Sequence, residues 1–141
     1  MTVYQLRVHG TPAPQGSKRH VGGGRMIEAS KKVSPWRAAI VAEADRMGLT
    51  GLQLDGPLTA RCTFYLSRPL GHRRKHGLRD DAPTYPAKVP DLDKLLRSTF
   101  DALTTAQVWR DDAQVVVVYA TKRYADTFQP GALIVLEAAH A

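Results

Sequence analysis

The run Pro90-Asp91-Leu92-Asp93-Lys94-Leu95-Leu96-Arg97-Ser98-Thr99-Phe100-Asp101-Ala102-Leu103, closed by Trp109-Arg110-Asp111-Asp112-Ala113-Gln114-Val115, decides how this chain folds. On a 100° wheel Leu92, Leu95, Leu96, Thr99 and Leu103 share one face, and Asp93, Lys94, Arg97, Asp101 and Thr104 share the other. The spacing predicts a helix from Asp91 to Ala106 whose apolar side packs on a core and whose charged side stays available for chemistry. Such a helix is roughly 24 Å long. Asp112 follows its far end. Either the chain turns back along the helix to bring that carboxylate to Asp91 and Asp93, or a second subunit supplies it. Return within one subunit is the reading preferred, with Trp109 as the apolar pin of the connection.

Working outward, residues Asp112 to Tyr124 form a Val-rich strand, Gln129-Pro130-Gly131 a turn, and Leu133 to Glu137 a last strand. On the other side, Val3 to His9 alternates with the period of a half-buried strand. Ser34-Pro35 then opens an amphipathic helix carrying Trp36, Ala39, Ile40, Ala44 and Met47 up to Gly48, and Leu58 to Leu66 follows Gly56-Pro57 as a second strand. The order strand, helix, strand, helix, strand, strand implies an α+β (mixed α/β) fold, with two helices on a four-stranded sheet. At 141 residues the chain fits a single domain, 1–141, with flexible basic loops at about 11–32 and 67–90. Trp36 reads as a core anchor, and the lone Cys62, beside Thr63, Phe64 and Tyr65, as a core strand residue.

Lys and Arg outnumber Asp and Glu by 20 to 13, a formal net charge of +7 that suits a phosphate-rich partner. The positive charges concentrate in the two irregular segments. Lys18, Arg19 and Arg25 in the first, and Arg68, Arg73, Arg74, Lys75 and Lys88 in the second, are candidate contacts to a DNA backbone; the alternative is a solvated basic surface. Tyr85 either stacks on an exposed base or packs against the body. Gly10 with Gly16-Ser17-Lys18 imitates a P-loop, but the spacing is one too long and the order of Lys and Ser is inverted, so no nucleotide cofactor is expected. His72 and His76 have H-x3-H spacing without the further ligands a zinc site needs. No apolar run approaches the ~20 residues that span a bilayer and no secretory segment opens the chain, so the expectation is a cytoplasmic protein with no membrane partner.

Asp91 and Asp93 present two carboxylates within one helical turn, and in so basic a protein an acidic cluster is what a divalent cation needs to be held against a polyanion. Spacing alone favours a plainer reading. Asp91 after Pro90 is an N-cap, Asp93 complements the helix dipole, and Asp111 and Asp112 are turn residues opening a strand.

Three motifs taken together alter that balance. Pro90-Asp91-Leu92-Asp93-Lys94-Leu95, Phe100-Asp101-Ala102-Leu103-Thr104 and Val108-Trp109-Arg110-Asp111-Asp112-Ala113-Gln114-Val115 closely resemble, in order and spacing, the signature of the RusA family of Holliday junction resolvases, endodeoxyribonucleases of many phages and prophages. A looser likeness extends to Gly10-Thr11-Pro12, Gln15-Gly16-Ser17-Lys18-Arg19 and Ser34-Pro35-Trp36-Arg37. The resemblance implies a homodimeric nuclease that uses Mg²⁺, with Mn²⁺ as an alternative, and nicks paired strands of a four-way junction. It carries the family's catalytic, metal-binding aspartates onto Asp91, Asp93 and Asp112. The family's basic catalytic residue, a lysine in its founding member, falls on Arg97. Arginine stabilises phosphate charge but is a poor proton carrier, which leaves Lys94 as the alternative. Asp101 and Asp111 stand as supporting residues, Asp101 being spaced to orient Arg97. Two rivals remain: a structure-specific DNA-binding protein without catalysis, and a nuclease acting on other branched phage DNA.

Overall fold

Alternating apolar residues make the strands of this protein and 3.6-residue periodicity its helices. The computed structural model describes residues 2–16, 18–21, 25–28 and 31–140, and of 18–21 and 25–28 the backbone alone. The elements run β1 (Val3–His9), β2 (Lys18–Val21), β3 (Arg25–Glu28), α1 (Val33–Arg46), β4 (Leu58–Leu66), β5 (Arg73–Arg74), β6 (Gly77–Leu78), α2 (Leu92–Thr105), β7 (Val115–Tyr124) and β8 (Gly131–Ala138). Short 3-10 turns lie at Leu70–His72 and Asp112–Gln114. The main sheet has the order β1-β8-β4-β7, antiparallel except for the parallel pair β4 and β7. This is the expected α+β architecture, two helices on a four-stranded sheet.

One face of the sheet supplies the core. Leu6 and Val8, Ala60, Cys62 and Phe64, and Ala132, Ile134 and Leu136 all point inward and are buried. They meet Trp36, Ile40 and Ala44 of α1 and Leu95, Ala102 and Leu103 of α2 in a single apolar cluster. Trp36 and Cys62 are core residues, and burial pushes the Cys62 thiol up to about 12. Among the described residues no helix is long and apolar enough to cross a membrane.

Boundaries differ from the sequence reading in instructive ways. Helix α1 begins at Val33, so Ser34 and Pro35 lie within its first turn and do not cap it; Val33 is buried and is drawn into the core. Its end is a Schellman motif: Gly48, at φ +72°, donates to the Asp45 carbonyl, and buried Leu49 to that of Ala44. The same motif ends α2 with Gln107 in the left-handed position, at φ +55°, where it donates to the Thr104 carbonyl while Val108 donates to that of Leu103. Strand β8 starts at Gly131, two residues early. There the backbone passes so close to β1 that a Cβ would sit 1.9 Å from the Val8 carbonyl oxygen, so only glycine fits.

The two basic segments are not wholly irregular. The backbone of β2 pairs antiparallel with β3, and β5 with β6. The 67–90 segment is further held by Arg68, whose side chain is only 3% exposed. Its guanidinium binds both carboxylate oxygens of Asp126 (2.6 and 3.1 Å) and the Pro83 carbonyl (2.6 Å), reaches His72 Nδ1 at 3.3 Å, and lies 4.2 Å over the Tyr124 ring. A structureless connection was expected there. A buried, fully engaged arginine instead staples it to the loop after β7.

Candidate active site

Helix α2 is amphipathic as the wheel predicts. Leu95, Thr99 and Leu103 are buried together with Ser98 and Ala102, whereas Asp93 and Arg97 are exposed. Asp91 occupies the N-cap position with extended backbone (φ −70°, ψ 139°), yet its carboxylate makes no capping hydrogen bond. That carboxylate makes no bond to the backbone amides of the helix it opens. Asp91 Oδ2 lies 3.5 Å from Lys94 Nζ, with both side chains about half exposed. The Lys94 stem also lies against Gly16, where an added Cβ would come within 3.4 Å of Lys94 Cδ. Arg97 is exposed and forms no hydrogen bond or ion pair with the described residues.

The segment Ala13–Gly16 is stitched along the same helix. Ser98 Oγ donates to the Ala13 carbonyl (2.6 Å), and the Gln15 amide nitrogen to that of Lys94 (3.0 Å). The Gln15 side chain donates through Nε2 to Asp101 Oδ2 and accepts through Oε1 from Arg37 (3.3 Å), which also donates to Thr105 Oγ1 (3.2 Å). Among the described residues Asp101 is bonded to Gln15 and not to Arg97, the partner that its i,i+4 spacing suggested. Gln15 and Arg37 are the supporting residues that sequence reasoning missed as site members. Their only signal is their place in two of the three loosely matching N-terminal motifs.

At the far end of α2 the chain is locked. Trp109 is fully buried, donates through Nε1 to Thr104 Oγ1 (2.7 Å) and meets the Phe100 ring edge-on at 5.2 Å. Gln114 Oε1 accepts from the amides of Arg110 (2.8 Å) and Asp111 (2.9 Å), while Nε2 donates to the carbonyls of Leu54 and Gly56. Asp111 completes a capping box by accepting from the Ala113 amide (3.2 Å). That bond, reinforced by one with Asp112, holds the Asp111 carboxyl below its usual range. Asp112 is pushed the other way, first by its hydrogen bond to Asp111, then by burial and by the negative charges of Asp111 and Asp101.

Asp112 thus sits in the field of Asp101, and α2 rises about 15 Å between Asp91 and Asp101. Strand β7 then runs back: Lys122 Nζ donates to the carbonyls of Lys88 (2.8 Å) and Pro90 (3.0 Å), next to the helix start. Among the described residues no three His, Cys, Asp or Glu side chains come close enough to hold a metal ion between them. The donor chemistry does suit a hard cation: Asp91 and Asp93 offer exposed carboxylate oxygens, and Asp112 lies in an excess of negative charge that a cation would relieve.

The basic candidates divide. Arg68 is engaged in the staple, which leaves its guanidinium little to offer a DNA backbone. Arg73 and Arg74, with Arg79, Asp80 and Asp81, line an open concavity of about 450 Å³, where Arg74 pairs with Asp80 (3.0 Å) and Arg79 with Asp81 (3.1 Å). Lys75 and Lys88 are exposed. The side chains of Lys18, Arg19 and Arg25 lie outside the described residues. Tyr85, 60% exposed, does not pack into the body.

A strongly basic two-layer α+β domain with an amphipathic helix that shows solvent its carboxylates and a guanidinium unpaired among the described residues has the makings of a nucleic-acid-processing protein. More particularly, residues 9–137 match the family described as Endodeoxyribonuclease RusA, and the chain belongs to that family. It is an endodeoxyribonuclease of the Holliday junction resolvase type. Among curated proteins, none matches the chain.

Proposed function

We propose that this protein is a homodimeric, Mg²⁺-dependent nuclease that nicks symmetric strands of four-way DNA junctions, with Mn²⁺ able to replace Mg²⁺. The observation that carries the reading is Asp91: it stands where a helix cap should be yet turns its carboxylate away from the helix amides toward Lys94, beside exposed Asp93 and an Arg97 that pairs with none of the described residues. Asp91, Asp93 and Asp112 are the residues that would hold the ion. Three carboxylates drawn together repel one another, and a cation between them would offset that repulsion. When bound, the ion lowers the pKa of the attacking water and neutralises charge on the phosphodiester.

The chain's own residues supply the rest. Arg97 faces solvent with its whole donor fork available to bind a phosphate oxygen as charge develops on it. Lys94, held beside Asp91 and Gly16, is the candidate proton donor for the leaving oxygen, a role for which an ammonium is better suited than a guanidinium. Gln15 fixes Asp101, whose charge adds to that of Asp111 at Asp112. Arg73, Arg74, Lys75 and Lys88, together with Lys18, Arg19 and Arg25, grip the junction arms through phosphates, which makes affinity steeply salt-dependent. A twofold dimer would present two such sites to a substrate with matching symmetry.

The test is cleavage of a fixed four-way junction with and without Mg²⁺, comparing wild type with Asp91→Asn. Metal-dependent paired nicks by wild type, and binding without nicking by the variant, are expected. Junction binding with no metal-dependent cleavage by wild type would leave only a DNA-binding protein. Equal cleavage of flaps would broaden the substrate to branched phage DNA in general.

A further inference from the structure

The helices cover one face of the sheet, and the opposite face carries an arrangement that cleavage does not use. Register fixes its membership. Gln5, Val135, Arg61 and Tyr119 lie in one row across the four strands; Arg7, Leu133, Thr63 and Thr121 lie in the next; His9, Gly131, Tyr65 and Arg123 follow. The first and third rows each set an arginine beside a tyrosine, and the second carries Arg7.

The rings and guanidiniums are already organised. Arg7 lies 4.8 Å from the centroid of Tyr65 and 5.2 Å from that of Phe128, and the two rings stand 5.1 Å apart. Four residues along β4, about 13 Å away, Arg61 lies 4.3 Å over Tyr119 and 3.6 Å from Glu137. Tyr119 and Phe128 each remain 55% exposed, although large aromatic surfaces are costly to leave in water. Arg123 is exposed on the same face.

We infer that this open sheet face is a second nucleic-acid surface, one that takes a single-stranded DNA segment by stacking unpaired bases on Tyr119 and Phe128 while Arg7, Arg61 and Arg123 meet its phosphates. Charge selects the occupant. On the sheet face Arg7, Arg61 and Arg123 are opposed by Glu137 alone, so a polyanion is complementary. A second copy of the chain is disfavoured, because a twofold contact would set the same arginines against themselves. Rings and guanidinium planes both stack on bases, and duplex DNA hides its bases from such a platform. The surface lies across the sheet from the acidic helix, so it could hold an unpaired strand while that helix faces a junction.

The experiment is fluorescence anisotropy with labelled oligothymidylate and with a duplex of the same length, in the absence of divalent metal. Tyr119→Ala/Phe128→Ala should weaken single-strand binding by about tenfold or more and duplex binding far less, while Tyr119→Phe keeps wild-type affinity. Both rings are half exposed, so the fold should survive; if the double variant does not fold, Tyr119→Ala alone is read the same way for a several-fold loss. Equal losses on both probes, or none, overturn the inference. So does a change in sedimenting mass, which would mean that a second copy covers the face. Asp91→Asn should bind oligothymidylate like wild type, so this result stands or falls separately from the cleavage reading.

Discussion

Two aspartates in this chain stand at N-cap positions and meet opposite fates. Asp111 caps its 3-10 turn fully, its carboxylate engaged with the Ala113 amide and the turn tied by Gln114 to the 54–56 segment. Asp91 opens a much longer helix and caps nothing. The contrast extends to the two ends of α2. At the carboxyl end Thr104, Trp109 and Gln114 each have partners; at the amino end the Asp91 carboxylate pairs, among the described residues, with Lys94 alone, and Arg97 makes no hydrogen bond or ion pair with any of them. Groups whose hydrogen-bonding capacity is satisfied maintain a fold. Groups left with capacity to spare, on a helix that could have used it, are available to a ligand.

The contrast breaks if the free end proves dispensable. Asp91→Asn should lower metal-dependent junction cleavage by at least about 100-fold, more than the loss of an outer-sphere partner brings, with the melting temperature almost unchanged. Cleavage within a few-fold of wild type would sink the assignment. At the locked end the effect should be on stability: Trp109→Ala removes a fully buried ring and should cost about 3–5 kcal/mol, read by urea unfolding.

Smaller effects sharpen the comparison. Gln15→Leu, which frees Asp101, should reduce cleavage by about tenfold while junction binding persists; a matching loss of binding would point to a general disturbance of the 13–16 segment. For Asp112, a raised carboxyl pKa means that the folded protein takes up its proton above the ordinary value of 3.8, so cleavage should fail on the acid side earlier than for an unperturbed aspartate. Asp111→Asn removes the neighbouring charge and should move that acid limb to lower pH; a shift to higher pH would reverse the proposed cause. The smallest change is expected at Gln107→Gly. Relief of its left-handed backbone, partly offset by the extra freedom of glycine when unfolded, should stabilise the protein by ~0.5 kcal/mol, measurable by the same urea titration.

Much of this was legible along the chain. The wheel of α2 placed Leu95, Thr99 and Leu103 inside and Asp93 and Arg97 outside, the alternation of Val3–His9 marked a strand, and three acidic motifs at fixed spacing led to the RusA family. These follow from periodicity and local order, which a sequence records directly. Other outcomes depend on partners remote in sequence. Arg68 reads like any arginine of a basic loop until Asp126, 58 residues on, claims it. Asp101 reads as a partner for Arg97 until Gln15, 86 residues away, binds it instead.

The sequence by itself determined which residues are apolar at which period, hence the elements, the layers and the candidate chemistry. Only the tertiary structure decided which charges are spent and which are free. A hydrogen bond is a matter of ångströms, and chain separation says nothing about which of several eligible partners a folded backbone brings within reach.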